Sequence, residues 1–263
     1  MTVHFFKYHG TGNDFIIIDN RNKFFDKTNY TLISELCNRR FGIGADGLML
    51  IENHSTYDFE MIYFNSDGKK GTMCGNGGRC IISFAKKLGL IKNSTKFVAY
   101  NKIYIGSIEN NIIKLKFQDV QSIEKYSDNC QNGYIIDTGS PHFVKFVDNI
   151  ETINVFEEGR KIRYSDKFKI DGINVDFVKI ENDNTISVKT YERGVEDETY
   201  SCGTGVVASA IATSLKTKSE INNYKITTKG GNLKVGFEKS KIFENIWLEG
   251  PATFVFDGEI ELN

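Results

Sequence analysis

Residues 74–77 read Cys-Gly-Asn-Gly and residues 202–205 read Cys-Gly-Thr-Gly, about half a chain length apart in a protein of 263 residues. In both copies a strand-like run comes first, at 59–64 and at 186–191, and a polar turn follows it. A run rich in Ile, Val and Ala then follows the motif. The repeat predicts two similar halves, each with a cysteine at the N-terminus of a helix.

A cysteine at a helix N-terminus suits acid–base chemistry. The backbone N–H groups and the helix dipole lower the pKa of such a thiol from about 8.5 into a range of roughly 3.5 to 7.5. The glycines leave the first N–H groups of each helix open to an anion such as a carboxylate. Two such thiols, on opposite faces of one α-carbon, can remove a proton and return one to the other face. The pattern therefore indicates inversion at a carbon next to a carboxylate.

The hydropathy pattern predicts many short strands and few helices. A helix follows Cys74 and ends near Gly89, and a second one runs from 203 to 215 without a charged residue, so it should be buried. Strands are predicted at 15–19, 48–51, 59–64, 112–117, 134–137, 143–146, 177–180, 186–191 and 224–228. We expect a mixed, β-rich α/β fold with two pseudo-symmetric halves, each a curved sheet or barrel wrapped around a central helix.

Composition excludes several classes of protein. The chain is 40% hydrophobic and 25% charged with a net charge of −1, which is typical of a folded protein and gives no basic surface for nucleic acid. No apolar run approaches the ~18 residues of a membrane span, and the N-terminus lacks a signal-peptide pattern. We therefore expect a soluble cytoplasmic protein that binds neither nucleic acid nor membrane.

The remaining cysteines and the histidines show no metal-binding or disulfide pattern. Five cysteines in a chain of this length do not form a disulfide framework, which fits a reducing cytoplasm. There is no Cys-x-x-Cys or His-Glu-x-x-His, so we expect no metal. Cys37, Cys80 and Cys130 lack the glycine context of the repeated motif, and we interpret all three as structural or incidental.

A Gly-x-Gly-x-x-Gly string at Gly42, Gly44 and Gly47 suggests a dinucleotide site at first sight. A helix-like stretch at 32–37 precedes it and a strand-like run at 48–51 follows, which is the reverse of the order in a Rossmann loop. We interpret it as a turn into a strand.

Around both cysteines the chain resembles the diaminopimelate epimerases, and the similarity extends over nearly its whole length. The motifs occur in the family's order: 9–15 (HGTGNDF), 65–68 (NSDG), 73–80 (MCGNGGRC), 139–142 (GSPH), 191–194 (YERG), 202–205 (CGTG) and 250–258. The resemblance implies a pseudo-symmetric diaminopimelate-epimerase-like fold and an isomerase that uses neither pyridoxal phosphate nor metal. We place the N-terminal half at 1–118 plus 251–263 and the C-terminal half at 119–250.

The resemblance also implies the activity and the site. The expected reaction interconverts LL- and meso-diaminopimelate, for lysine and peptidoglycan precursors, with Cys74 and Cys202 as the two acid–base residues. His142 and Glu192 match residues that tune the cysteines, and Glu192 also holds the substrate amine. The expected substrate-binding residues are Asn13, Asn65, Gly75, Asn76, Asn174, Glu192, Arg193, Gly203 and Thr204. The partner is then a small diamino-dicarboxylate, and the resemblance implies a homodimer.

Three departures from the common family pattern leave the substrate open. Ser140 stands where Asn is common, Gly47 stands where some members have a substrate-facing Gln, and the loop 194–199 is one residue longer. Two alternatives therefore accompany the main prediction. One is a cofactor-independent racemase of proline, hydroxyproline or histidine. The retained Arg193 argues against it, because this arginine favours a substrate with a second carboxylate. The other is a thiol-disulfide redox protein, against which the absence of Cys-x-x-Cys argues.

Overall fold

The structure is a computed structural model and describes residues 2–128 and 131–262. Cys130 therefore lies outside the described residues. The helices are α1 (Tyr30–Cys37), α2 (Gly75–Lys87), α3 (Val155–Arg163) and α4 (Gly203–Thr217). The strands are β1 (Thr2–Gly10), β2 (Asn13–Asp19), β3 (Gly47–Glu52), β4 (Glu60–Asn65), β5 (Ser94–Ala99), β6 (Lys102–Glu109), β7 (Ile112–Lys116), β8 (Ile123–Ser127), β9 (Asn132–Asp137), β10 (Pro141–Phe146), β11 (Asn174–Asn182), β12 (Thr185–Glu192), β13 (Asp197–Thr199), β14 (Asn223–Thr228), β15 (Gly231–Lys239), β16 (Phe243–Gly250) and β17 (Thr253–Glu261).

The chain divides into two compact units. Unit 1 comprises Met1–Leu115 and Gly250–Asn263, and unit 2 comprises Lys116–Glu249. The halves expected from the sequence, 1–118 plus 251–263 with Cys74 and 119–250 with Cys202, remain a prediction.

The two units repeat one strand order. In unit 1 the pairing runs β17–β1–β2–β3–β4–β5–β6–β7, with parallel pairs at β2–β3 and β4–β5 and antiparallel pairs elsewhere. In unit 2 it runs β8–β9–β10–β11–β12–β14–β15–β16, with parallel pairs at β10–β11 and β12–β14. Each unit places a central helix, α2 or α4, in the connection between the members of its second parallel pair. The predicted mixed, strand-rich α/β fold is confirmed.

The central helices are buried and each begins directly after its cysteine. In α2, which has 13 residues, 10 are buried, and in α4, which has 15, 11 are buried. Cys74 and Cys202 are the N-cap residues, and their carbonyls accept the first helical hydrogen bonds, from Gly78 N at 2.8 Å and Val206 N at 3.0 Å. None of the helices in the described residues has the length and apolar character of a membrane-spanning helix.

Most of the local predictions agree with the structure. All nine predicted strands are present, and β3 begins at Gly47 after α1, so the interpretation of the glycine string as a turn into a strand is confirmed. Gly89 follows α2 with φ +73°, as a helix stop requires. The sequence reading missed α3, whose N-cap Asn154 accepts a hydrogen bond from the backbone N–H of Glu157, and eight strands: β1, β5, β6, β8, β13 and β15 to β17.

Candidate active site

In unit 1 the Cys74 thiol contacts the side chain of Asn13. Cys74 Sγ lies 3.4 Å from Asn13 Oδ1, to which it donates. The Asn13 amide donates in turn from Nδ2 to Asp46 at 2.7 Å, and Arg39 holds that carboxylate with an ion pair of 2.6 Å. Because Asp46 accepts from the nitrogen, the amide oxygen of Asn13 faces the sulfur. The structure thus brings together two of the predicted site residues and adds Asp46, which the sequence reading missed.

The first turn of α2 offers backbone N–H groups rather than side chains. Gly75 and Asn76 are buried, and the Asn76 side-chain oxygen accepts from Arg79 at 3.1 Å and from Thr11 at 3.4 Å. The first N–H groups of a helix have no partner within the helix, so this turn suits a carboxylate.

Asn65, also predicted for the site, is an exposed residue at the end of β4. Its backbone N–H donates to the Lys69 carbonyl at 2.9 Å, and its carbonyl accepts from the Gly68 N–H at 2.9 Å. Gly68, with φ +84°, closes this turn. The turn fixes the backbone of Asn65 and leaves its side chain exposed in unit 1.

In unit 2 a continuous hydrogen-bond chain runs from the second cysteine to a buried carboxylate. Cys202 Sγ lies 3.2 Å from the Thr204 hydroxyl, and that hydroxyl lies 2.8 Å from His142 Nε2. His142 Nδ1 lies 2.7 Å from Asp176, and the His142 and Asp176 side chains are both fully buried. Thr190 donates to the other oxygen of Asp176 at 2.7 Å.

This series of hydrogen bonds can carry a proton between the Cys202 thiol and the His142 imidazole. Because Asp176 accepts from Nδ1, the neutral imidazole of His142 presents Nε2 as an acceptor. The Thr204 hydroxyl can then donate to Nε2 and accept from the Cys202 thiol. When Cys202 loses its proton, every bond in the chain can reverse and leave an imidazolium opposite the thiolate. His142 therefore contacts Cys202 through Thr204, and Asp176 is the missed residue that fixes its tautomer.

The expected low pKa of Cys202 is wrong for the free protein. Cys202 is 8% exposed, and burial raises the pKa of its thiol well above the ordinary value, with further increases from the charges of Glu192 and Asp176. The helix terminus and the Thr204 hydroxyl favour the thiolate but do not outweigh burial and two nearby carboxylates. Cys202 is therefore a thiol at neutral pH in this structure.

Asn174 and Arg193 lie next to each other at the end of the unit 2 sheet. The Asn174 amide donates to the Ser140 hydroxyl at 2.8 Å and accepts from the backbone N–H of Arg193 at 2.9 Å. The guanidinium of Arg193 is exposed and donates to the Asp171 carbonyl at 2.8 Å. Within the described residues no carboxylate forms an ion pair with Arg193, so its charge is available to an anionic ligand. Ser140, a departure from the family pattern, orients a predicted site residue.

The longer loop folds back on itself. Gly194 and Glu196 adopt positive φ, and β13 pairs with the end of β12, so residues 192–197 form a tight hairpin. The Glu196 carboxylate accepts from Tyr191 Oη at 3.0 Å and from the Gly194 N–H at 3.1 Å. The extra acidic residue is therefore held by its own hairpin and by an ion pair of 3.6 Å with Arg163 on α3.

Gly47 has its side-chain space filled by a neighbour. A Cβ at Gly47 would lie 2.4 Å from Tyr63 Cε2 and 2.5 Å from the Phe64 carbonyl oxygen. Tyr63 thus occupies the volume that a side chain at position 47 would need.

The other described cysteines are buried, free and unsuited to acid–base work. Burial raises the pKa of Cys37 to about 12 and that of the fully buried Cys80 further. Over the part of the chain that the structure describes, no three His, Cys, Asp or Glu side chains are grouped to hold a metal ion.

Two of the charged residues that the sequence analysis did not single out share one signal. Asp176 is a buried acid within the apolar strand β11, and Arg79 is a buried base near the start of α2. A charged residue inside an otherwise apolar run is either exposed to solvent or buried with polar partners that satisfy it. The sequence alone does not show which of the two applies.

Comparison with known proteins places the chain among relatives of one activity. The model of the diaminopimelate epimerase family matches residues 5–102 and 134–255. A diaminopimelate epimerase from Flavobacterium psychrophilum is 52% identical over 258 residues, 97% of this chain and 99% of the relative. One from Chlorobaculum tepidum is 40% identical over 258 residues, 96% of this chain and 99% of the relative.

Solved structures of low sequence identity share the fold. A PhzF-family phenazine biosynthesis protein from Bacillus anthracis superposes with a TM-score of 0.79 at 14% identity, over 100% of both chains. A hydroxyproline epimerase from Agrobacterium vitis superposes with a TM-score of 0.70 at 11% identity, over 98% of this chain and 92% of that one. Proteins with different names thus share this fold, so the fold alone does not identify the family. The sequence matches do identify it. This chain belongs to the diaminopimelate epimerase family.

Proposed function

We propose that this protein interconverts LL- and meso-2,6-diaminopimelate by proton transfer between two cysteines, an isomerase activity in lysine biosynthesis. The observation that carries the proposal is the repeated device of a cysteine at the N-cap of a buried helix, once in each unit. In each unit the cysteine sulfur lies next to the first backbone N–H groups of the helix, which can bind the carboxylate beside the reacting carbon.

The residues of each unit have distinct roles in this proposal. The N–H groups of Gly75, Asn76, Gly203 and Thr204 bind the reacting carboxylate. Arg193, whose exposed guanidinium forms no ion pair with a carboxylate among the described residues, binds the distal carboxylate. Asn13, Asn65 and Asn174 position the rest of the substrate, and Glu192 holds its amine. His142 exchanges protons with Cys202 through Thr204.

The weak acidity of the α-hydrogen explains the number of polar contacts. Without an electron-sink cofactor, the carbanion that forms at the α-carbon depends on fixed donors at the carboxylate and on exclusion of water. We propose that the enzyme uses neither pyridoxal phosphate nor a metal.

We also propose that the protein is a homodimer in the cytoplasm. Three consecutive apolar residues of β17, Phe254, Val255 and Phe256, are 38%, 51% and 46% exposed, so both faces of this strand carry exposed apolar side chains that a second copy could cover. None of the described cysteines forms a disulfide, which fits a reducing compartment. Light scattering of the wild type and of Val255→Glu tests the dimer: a monomeric wild type contradicts it, and a dimer that the substitution dissociates supports the β17 surface.

The activity is tested by chiral chromatography of LL-diaminopimelate after incubation with the purified protein and no added cofactor. We expect a mixture of LL and meso isomers at equilibrium. Proline, 4-hydroxyproline and histidine serve as comparison substrates, and inversion of one of these with diaminopimelate unchanged would contradict the proposal.

A further inference from the structure

Arg79 is a fully buried cation of α2 whose guanidinium contacts the first turn of that helix. Its side chain is 0% exposed and is among the largest fully buried side chains in the protein. Burial lowers the pKa of the guanidinium to about 10, so it still carries a full positive charge at neutral pH.

The partners of this cation are all neutral. Arg79 donates to the Thr11 hydroxyl at 3.1 Å, the Asn76 side-chain oxygen at 3.1 Å, the Gly75 carbonyl at 3.3 Å and the Pro251 carbonyl at 3.2 Å. Within the described residues no carboxylate forms an ion pair with it. Neutral acceptors satisfy the N–H groups but leave the charge unbalanced, and an unbalanced buried charge is costly.

The titratable groups around this turn leave Cys74 as the available counter-charge. Cys80 is fully buried and its pKa is strongly raised, so it remains a thiol. Burial also raises the pKa of Tyr8, on β1, to about 12 and that of Tyr100 further, so both stay neutral at physiological pH. Cys74 also interacts electrostatically with Arg79 and is more exposed than Cys80.

Unit 2 has no cation at the equivalent position, and its second cysteine is surrounded by negative rather than positive charge. Val207 stands five residues after Cys202, as Arg79 stands five residues after Cys74. The charged groups that act on Cys202 are the carboxylates of Glu192 and Asp176. One cysteine of the repeat therefore faces a cation and the other faces two anions.

We propose that Arg79 is a positioning residue that assigns the thiolate to Cys74 in the free enzyme: its buried charge stabilises the Cys74 thiolate, while Cys202 starts as the thiol. The inference rests on the proposed function of the two cysteines. In the first turnover the Cys74 thiolate takes the α-hydrogen as a proton and leaves the electron pair on the α-carbon. The Cys202 thiol gives its proton to the opposite face and becomes the thiolate. After product release a proton returns from Cys74 to Cys202 through solvent.

One contact opposes this assignment and is the weaker influence. The amide oxygen of Asn13 accepts from Cys74 Sγ at 3.4 Å and so favours the thiol. A single hydrogen bond from a thiol to a neutral oxygen is weak, whereas a full charge in a buried site acts strongly and over a longer range.

The test is the pH dependence of cysteine alkylation in the substrate-free, full-length protein. Initial rates of iodoacetamide labelling at Cys74 and at Cys202 are followed by peptide mass spectrometry, and the pH midpoints are compared because they do not depend on accessibility. We expect the midpoint of Cys74 to lie below that of Cys202. In Arg79→Met the midpoint of Cys74 should rise by about one unit, a tenfold loss of thiolate, and that of Cys202 should stay unchanged.

Arg79→Lys separates the charge from the packing. Lysine loses the forked hydrogen bonds, as methionine does, but keeps the positive charge. In Arg79→Lys we therefore expect the pH midpoint of Cys74 labelling to lie close to its wild-type value. Equal midpoints in Arg79→Met and the wild type, or equal behaviour of the Lys and Met variants, would overturn the proposal. If Arg79→Met does not fold, the wild type decides: a Cys74 midpoint at or above that of Cys202 overturns it. Labelling needs no turnover, so an inactive protein with well-separated midpoints would contradict only the proposed function.

Discussion

The Nε2 atom of His142 lies 2.8 Å from the hydroxyl oxygen of Thr204. The same hydroxyl lies 3.2 Å from the sulfur of Cys202, so it is the link by which the buried His142–Asp176 pair reaches the second cysteine. Thr204 therefore has a second role besides presenting its backbone N–H group to a carboxylate: its hydroxyl connects Cys202 to His142.

Replacing that hydroxyl should slow proton transfer at Cys202. We expect Thr204→Val to lower kcat by about 10² to 10⁴, the usual contribution of a positioned acid–base partner, with a smaller change in KM. Thr204→Ser keeps the hydroxyl and should retain most of the activity. The measurement is the pH profile of kcat for the three proteins. A valine variant with the wild-type profile would exclude the relay.

The fourth residue of each motif, a glycine, provides a matched pair of substitutions. A Cβ at Gly205 would lie 2.4 Å from Asp176 Oδ1 and 3.2 Å from His142 Cε1. At Gly77 the nearest atom to a Cβ is Sδ of the flexible Met49, at 3.2 Å, and the next neighbours are at ordinary van der Waals distance. We expect Gly205→Ala to cost about 1 to 3 kcal/mol of unfolding free energy, as overpacking usually does, and to reduce activity more than tenfold. Gly77→Ala should cost less on both counts. Urea unfolding and the epimerase assay test this, and equal effects at the two positions would contradict the account of Asp176.

The buried thiols should make the protein less stable at alkaline pH. Folding raises the pKa values of Cys37, Cys80 and Cys202, so the stabilisation is complete below the ordinary thiol pKa and is lost as the pH rises towards the raised values. Each thiol contributes about 1.4 kcal/mol per pH unit in this window, so the unfolding free energy should fall by about 4 kcal/mol per unit above pH 9. Urea unfolding between pH 8 and 10.5 measures it. Cys37→Ala should reduce the slope by about a third, and a flat profile would refute the prediction.

Arg193 should determine the affinity for the distal carboxylate. A forked hydrogen bond between charged groups is worth about 2 to 3 kcal/mol, so Arg193→Met should raise KM for diaminopimelate about 30- to 150-fold. Arg193→Lys keeps the charge but loses the forked hydrogen bond, so its KM should lie between those of the wild type and Arg193→Met. Steady-state kinetics in both directions provide the values. A methionine variant with unchanged KM would show that the distal carboxylate binds elsewhere.

Local patterns in the sequence predicted the elements that carry the cysteines. The glycines after Cys74 and Cys202, the uncharged run that became α4 and the stop at Gly89 are short-range signals, and the structure agrees with each. The helix α3 escaped prediction because Gly159 interrupts it. That glycine is explained only by a distant contact, since a Cβ there would lie 2.4 Å from Tyr191 Cβ.

Electrostatics was the least predictable part of the site. The low pKa expected for Cys202 followed from its helix terminus alone, but Asp176 on β11 and Glu192 on β12 bring opposing charges from elsewhere in the sequence. Likewise the sequence places Arg79 five residues after Cys74. It does not show that, among the residues the structure describes, no carboxylate forms an ion pair with Arg79. Such effects depend on which strands become neighbours.

Proton NMR of LL-diaminopimelate in D₂O tests the two-cysteine reaction most directly. With no cofactor added, the wild type should lose the α-proton signal and form the meso isomer, whereas Cys74→Ala and Cys202→Ala should each fail to epimerise. An alanine variant that still converts LL to meso at a rate near that of the wild type would contradict the central claim that both thiols are required.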